Sequence, residues 1–105
     1  MIKFEIAPKS TEIELNWYDA KLYCFSLNVD GITGWRLPTI EELEAIHKSD
    51  NDFGFNWYWS ADESSSTHAF NYGWFGKGRN GSAAVNNKNM YGYRVRAVRS
   101  KNDNL

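Results

Sequence analysis

The sequence predicts an α+β domain over residues 1–100, two helices packed on short antiparallel sheets, with a frayed tail at 101–105. Three observations carry this. Two capped stretches with helical spacing stand in the first half. Short strand-like runs separated by glycine- and asparagine-rich turns fill the second half. An isolated N-terminal strand finds its partners only at a distance, and pairing it with the last strand closes the domain by its ends.

The chain opens on Lys3 to Ile6, where Ile2, Phe4 and Ile6 share one face of a strand. Asn16 is a good N-cap for a helix from Trp17 to about Leu27. Trp17, Ala20, Cys24 and Leu27 recur at helical spacing and form its buried stripe, and Asp19 sits in the first turn, where the helix dipole favours an acid. Gly34-Trp35-Arg36-Leu37-Pro38-Thr39 then arrives extended, because Pro38 fixes its own φ and biases Leu37 away from helix. Trp35 and Leu37 point to one face. Thr39 with Glu42 forms a capping box for a second helix, Ile40 to about His47, with Ile40, Leu43 and Ile46 inward. Arg36 is expected to pair locally with an acid or with carbonyls.

The second half reads as strands. Trp57-Tyr58-Trp59-Ser60 is a short aromatic strand, and Asp62 to Ser66 a loop. Thr67 to Tyr72 is a strand with His68, Phe70 and Tyr72 on one side. Gly73 to Gly81 is a glycine-rich loop ending in the hairpin signal Asn80-Gly81. Ser82 to Val85 returns, Asn86 to Asn89 turns again, and Tyr91 to Ser100 is the last strand. Its alternation predicts one covered face and one face charged by Arg94 and Arg96, with Arg99 out of phase.

Composition supports a small folded core: 42 % of residues are hydrophobic, and the 16 % that are aromatic build it from few large pieces. No stretch is long and apolar enough to span a membrane. The start shows no export signal, which predicts a cytoplasmic protein of a host cell or one carried on a particle such as a phage virion. The lone Cys24 allows no internal disulfide. Net charge is −1, yet residues 1–70 hold 12 of the 13 acids, and residues 71–101 hold seven cations and no acid. Either the late cations form a face for an anionic partner, or they pair inside the fold with the early acids.

Several residues now carry a family likeness. Trp17, Ala20, Tyr23-Cys24 and Leu27, then Trp35-Arg36-Leu37-Pro38-Thr39 with Glu42-Leu43, then Tyr58-Trp59-Ser60, Ala69-Phe70 and Val95-Arg96-Ala97-Val98-Arg99 follow one order. Together, over about residues 12–100, they resemble the bacterial C-type-lectin-like domains of the Lcl C-terminal domain family. Formylglycine-generating enzymes and the variable proteins of diversity-generating retroelements are relatives in fold. The resemblance implies a C-type-lectin-like fold with paired terminal strands and a second small sheet bearing long loops. It also implies that Cys24, half of a bridge common in this fold, lies beside Ala97 as a buried free thiol.

The chemistry that such relatives perform finds little support. The sugar-binding triplets of calcium-dependent lectins are absent, and Asp50-Asn51-Asp52-Phe53-Gly54 lacks the remaining ligands of a calcium loop. Formylglycine-generating chemistry needs two cysteines. His47 and His68 have no metal-ligand neighbours at useful spacing. Glu41-Glu42 and Asp62-Glu63 read as solvated acids. Gly76-Lys77-Gly78-Arg79-Asn80-Gly81 matches a dinucleotide fingerprint but precedes a strand instead of a helix. Asn80-Gly81-Ser82 is a glycosylation acceptor only in a eukaryotic secretory route.

Binding remains. Trp74, Phe75, Lys77, Arg79, Lys88, Asn89 and Tyr91 sit on adjacent loops and are aromatic, cationic or amide residues of the kind that anchor interfaces. The expected function is a calcium-independent, non-enzymatic recognition domain with no cofactor and no metal. It binds a protein, or an anionic polymer or glycan, through the loops from residue 73 to residue 91. A phage or mobile-element protein that binds and inhibits a host protein fits the same facts. Two alternatives are an enzyme on a formylglycine-generating-type fold with altered chemistry, and nucleic-acid binding by the basic C-terminal third.

Overall fold

Both helices begin where side chains can satisfy their free N–H groups. In a computed structural model, which describes residues 4–49, 53, 56–74 and 81–101, helix α1 spans Trp17–Ser26 and α2 spans Ile40–Lys48. Asn16 accepts from the Asp19 N–H at 2.8 Å. At α2 the box is complete: Thr39 Oγ1 accepts from the Glu42 N–H at 3.0 Å, and Glu42 Oε1 accepts from the Thr39 N–H at 2.9 Å. The carboxylate of Asp62 takes a third donor, the Ile40 N–H, at 2.7 Å. Burial pushes the Glu42 carboxyl up, but the Arg36 fork and the Thr39 donors outweigh it and hold it below the ordinary range. Thr39→Ala leaves an N–H unsatisfied, so a loss of about 1 kcal/mol is expected, read as a lowered urea midpoint at unchanged slope.

Among the described residues, seven strands form two sheets. Strand β1 (Phe4–Ile6) pairs antiparallel with β7 (Val98–Ser100), in the register Phe4 to Ser100 and Ile6 to Val98. The terminal strands therefore do close the domain. The second sheet runs in the order β2-β6-β3-β4-β5, from Ile13–Glu14, Arg94–Val95, Trp57–Glu63, His68–Gly73 and Ser82–Asn87. Its pairs are antiparallel except β3 with β6.

The pleat of β3 and β4 builds two cores back to back. Trp59 and Ala69 face α1, and pack with Trp17, Ala20, Cys24, Trp35, Leu37, Val95 and Ala97. Tyr58 and Tyr72 face α2, and pack with Leu43, Ile46, Trp74 and Val98. Alternation along a strand sends adjacent aromatics to opposite layers. At the hairpin base, Trp57 opposes Gly73, and a Cβ there would come within 2.9 Å of the Trp57 ring. Only glycine leaves that space.

Three readings of the sequence need correction. The last strand is two strands. The chain leaves the large sheet after Val95 and joins β1 at Val98, while Arg96 and Ala97 make the crossing. Arg96 is only 4 % exposed, so the expected charged face is not there. Its Nε donates to the Ala7 carbonyl at 2.7 Å, and the Ala7 N–H donates to Ala97 O at 2.9 Å. Second, β3 runs on through Glu63 and β5 through Asn87, because hairpin ladders continue past the apolar residues. Third, Ile13–Glu14 forms an edge strand beside β6, too short to show a period in the sequence. Readings that involve Lys3, most of Asp50–Gly54, residues 75–80 and residues 102–105 lie outside the described residues.

Candidate functional site

Of the seven residues expected to bind, the four that are described do not share one exposed face. Trp74 is 8 % exposed. Its ring stacks on Phe53 at 4.9 Å and meets Tyr58, Tyr72 and His47 edge-on, filling the α2 side of the sheet. Lys88 is 2 % exposed. Its Nζ sits 4.5 Å from the Trp17 ring centroid, donates to Glu63 Oε2 at 2.7 Å and to Ser66 O at 3.0 Å. These two side chains belong to the scaffold. Asn89 and Tyr91 are exposed, and the Tyr91 hydroxyl accepts from Asn16 Nδ2 at 3.3 Å. Phe75, Lys77 and Arg79 lie outside the described residues.

The segregated charges meet inside the fold. Glu12, its side chain 6 % exposed, takes Arg94 at 3.3 Å and Arg96 at 3.4 Å, and accepts from the Tyr58 hydroxyl at 2.9 Å. Arg94 also reaches Glu14, Arg99 pairs with Glu5, and Lys88 with Glu63. The Lys88 ammonium holds the exposed Glu63 carboxyl below the usual range. Thus Lys88, Arg94, Arg96 and Arg99 each carry an acid from the first two thirds of the chain. Arg36 holds Glu42 by two bonds of 2.7 Å and donates to Leu37 O, the local pairing expected of it.

Among the described residues, both histidines and the cysteine make contacts within the fold. His47 is wedged edge-on against Tyr72 and Trp74, and His68 Nδ1 is 2.8 Å from Thr67 Oγ1. Among the described residues, no three of His, Cys, Asp and Glu cluster as metal ligands. Among them, too, no helix is long and apolar enough to cross a membrane. Cys24 is a buried free thiol, and burial pushes it up to about 12. A thiol this protonated is a poor nucleophile. Its folded value exceeds the unfolded one, so its stabilising contribution is intact below about pH 9 and is lost as pH rises towards 12. Cys24→Ala should flatten the alkaline fall in stability, read by urea melts between pH 8 and pH 11. A thiol reagent should label native wild type only as fast as it unfolds.

Among the described residues an open concavity lies along α1. A groove of about 630 Å³ runs between α1 and the segment 35–39, lined by Tyr18, Lys21, Leu22 and Phe25 on one side and by Trp35, Arg36, Leu37 and Thr39 on the other, with Trp17 and Ala61. Tyr18, Leu22 and Phe25 stand 46 %, 64 % and 80 % exposed. They follow i, i+4, i+7 spacing, a second apolar stripe beside the buried one. The lining holds two cations and no carboxylate. Arg36 is already held by Glu42, which leaves Lys21 as the exposed charge.

A model of the Lcl C-terminal domain matches residues 5–99. The chain belongs to the Lcl C-terminal domain family. No curated protein matches it. In this Lcl C-terminal domain the two most specific motifs touch. The Arg36 N–H donates to Val98 O, and the Val98 N–H to Arg36 O, each at 2.8 Å. Trp35-Arg36-Leu37-Pro38-Thr39 is thereby tied to Val95-Arg96-Ala97-Val98-Arg99. Gly34, at φ +91°, turns the chain into that contact, and Arg99 Nε donates to the neighbouring Thr33 O at 2.8 Å. Cys24 and Ala97 sit in the same core cluster. The conspicuous motif therefore does two jobs: its backbone ties the sheets together, and its side chains wall the α1 groove.

Proposed function

We propose that this domain is a calcium-independent, non-enzymatic recognition module, and that its ligand is a protein segment seated in the α1 groove. The observation that carries the reading is the exposed stripe Tyr18-Leu22-Phe25 beside Trp35 and Leu37. Exposed large side chains gathered around a concavity are uncommon on a protein that works alone. The charge of the lining selects the occupant. With Arg36 held by Glu42, Lys21 is the charge the lining offers, and the groove fits a segment that presents two apolar side chains next to an acid. This moves the expected site from the loops at 73–91, where Trp74 and Lys88 are buried, to the helix face. The paired terminal strands and two helices agree with a C-type-lectin-like fold, and the single buried thiol suits a reducing compartment such as a host cytoplasm.

Selection from a displayed library of random 12-residue peptides tests the reading. Wild type should enrich sequences with two apolar positions beside Asp or Glu. The consensus peptide should lose at least tenfold in affinity on the double variant Leu22→Asp/Phe25→Asp. Both sites are mostly exposed, so its melting temperature should hold. Peptides that bind the double variant equally well would place recognition elsewhere.

A further inference from the structure

We infer that strand β5 is a self-association edge, and that two copies of this chain join there into one continuous sheet. Among the described strands β5 is the outermost of its sheet, and it pairs with β4 over six residues without a break. The edges at β2 and β1 are blunted, and β7 is bridged at Val98 by Arg36. β2 has two residues, and its Glu14 pairs with Arg94; β1 has three and carries Glu5. Short length and charge are how proteins discourage edge pairing. β5 reads Ser82-Ala83-Ala84-Val85-Asn86-Asn87, with no charge, no proline and no bulge.

The register shows which backbone groups are available. The Lys88 N–H donates to Thr67 O, and Thr67 lies opposite Lys88 when the ladder from His68 and Asn87 is continued. Directly opposite residues that exchange bonds alternate along an antiparallel pair. Asn86, Ala84 and Ser82 therefore bond to β4, while Ala83 and Val85 direct N–H and C=O outward. Val85 is 44 % exposed.

The occupant that matches this edge is a second copy. A twofold axis through Ala84 sets Ala83 opposite Val85 of the other copy, and Val85 opposite its Ala83. Both pairs are bonded, and every donor meets its own acceptor in the mate. No like charges face each other across the axis, and a net charge of −1 adds little repulsion. Antiparallel pairing keeps equivalent residues on one face, so both α1 helices stand on the same side of the joined sheet. If the groove reading above holds, two grooves then face a bivalent target together; the pairing itself does not depend on it.

Sedimentation of the full chain from 5 to 500 µM tests this. Wild type should shift from monomer to dimer, and the amides of Ala83 and Val85 should gain exchange protection as concentration rises. Val85→Pro removes an outward N–H and spares the β4 ladder; Val85→Lys places like charges at the new seam. Each should raise the dissociation constant at least tenfold, and Val85→Lys should leave the melting temperature of the dilute monomer unchanged. A wild type that is monomeric at 500 µM would overturn the inference. So would a dimer that survives both substitutions, or one broken by Phe25→Asp and not by Val85→Lys.

Discussion

Glu12→Gln should destabilise the domain by about 3–5 kcal/mol, a large share of what a chain of this size holds. The carboxylate is almost fully buried and receives Arg96, Arg94 and Tyr58. Arg96 is as buried as its partner, and its guanidinium lies 4.7 Å from the Phe53 ring centroid. Glutamine keeps the shape and one acceptor but removes the charge, so a guanidinium stays in a low-dielectric site without the Glu12 carboxylate. The contrast is Glu14→Gln. Its side chain is 53 % exposed, and its bond to Arg94 is a surface pair worth under about 1 kcal/mol. The double variant Glu12→Gln/Arg96→Met should recover part of the loss, since the guanidinium that faced the Glu12 carboxylate is removed with it. Urea melts of the four proteins at pH 7 measure the difference. Equal losses for Glu12→Gln and Glu14→Gln would show that the buried pair does not hold the sheet crossing.

Trp59→Ala should come close to abolishing cooperative unfolding. The ring is fully buried between α1 and the sheet and meets Tyr93 edge-on at 5.0 Å. Its Nε1 donates to Leu15 O at 2.9 Å, which fixes the approach to α1. Truncation removes the ring, leaves a cavity, and strands that carbonyl. The first two effects cost about 3–5 kcal/mol and the last adds about 1–3. Trp59→Phe fills much of the space and should lose less. A thermal melt followed in the near-ultraviolet should show a sharp transition for wild type and Phe, and a broad or absent one for Ala. A sharp transition for Ala within a few degrees of wild type would contradict the packing described.

Local rules made much of the fold readable. Asn16 and Thr39 announce the helices because caps act within three residues. The pairing of β1 with β7 follows from an isolated first strand that needs a distant partner. Arg96 was opaque for the opposite reason. A cation in an alternating run reads as solvent-facing, and its buried carboxylate partner Glu12 lies 84 positions away. Lys88 misled in the same way, since its partners Glu63 and Ser66 come from another hairpin. The groove was half visible. Tyr18-Leu22-Phe25 has helical spacing in the sequence, but two apolar stripes on one helix do not say which is covered. Trp35 and Leu37 settle it, and they reach α1 only once the chain has folded.

The shift map of the selected peptide on the ¹⁵N-labelled domain tests the central claim most directly. If the α1 groove is the binding face, the amides that move on titration lie in residues 18–25 and 35–39, and Leu22→Asp/Phe25→Asp abolishes the movement. Changes confined to Asn89 and Tyr91, with α1 unmoved, would contradict it and return recognition to the loop face.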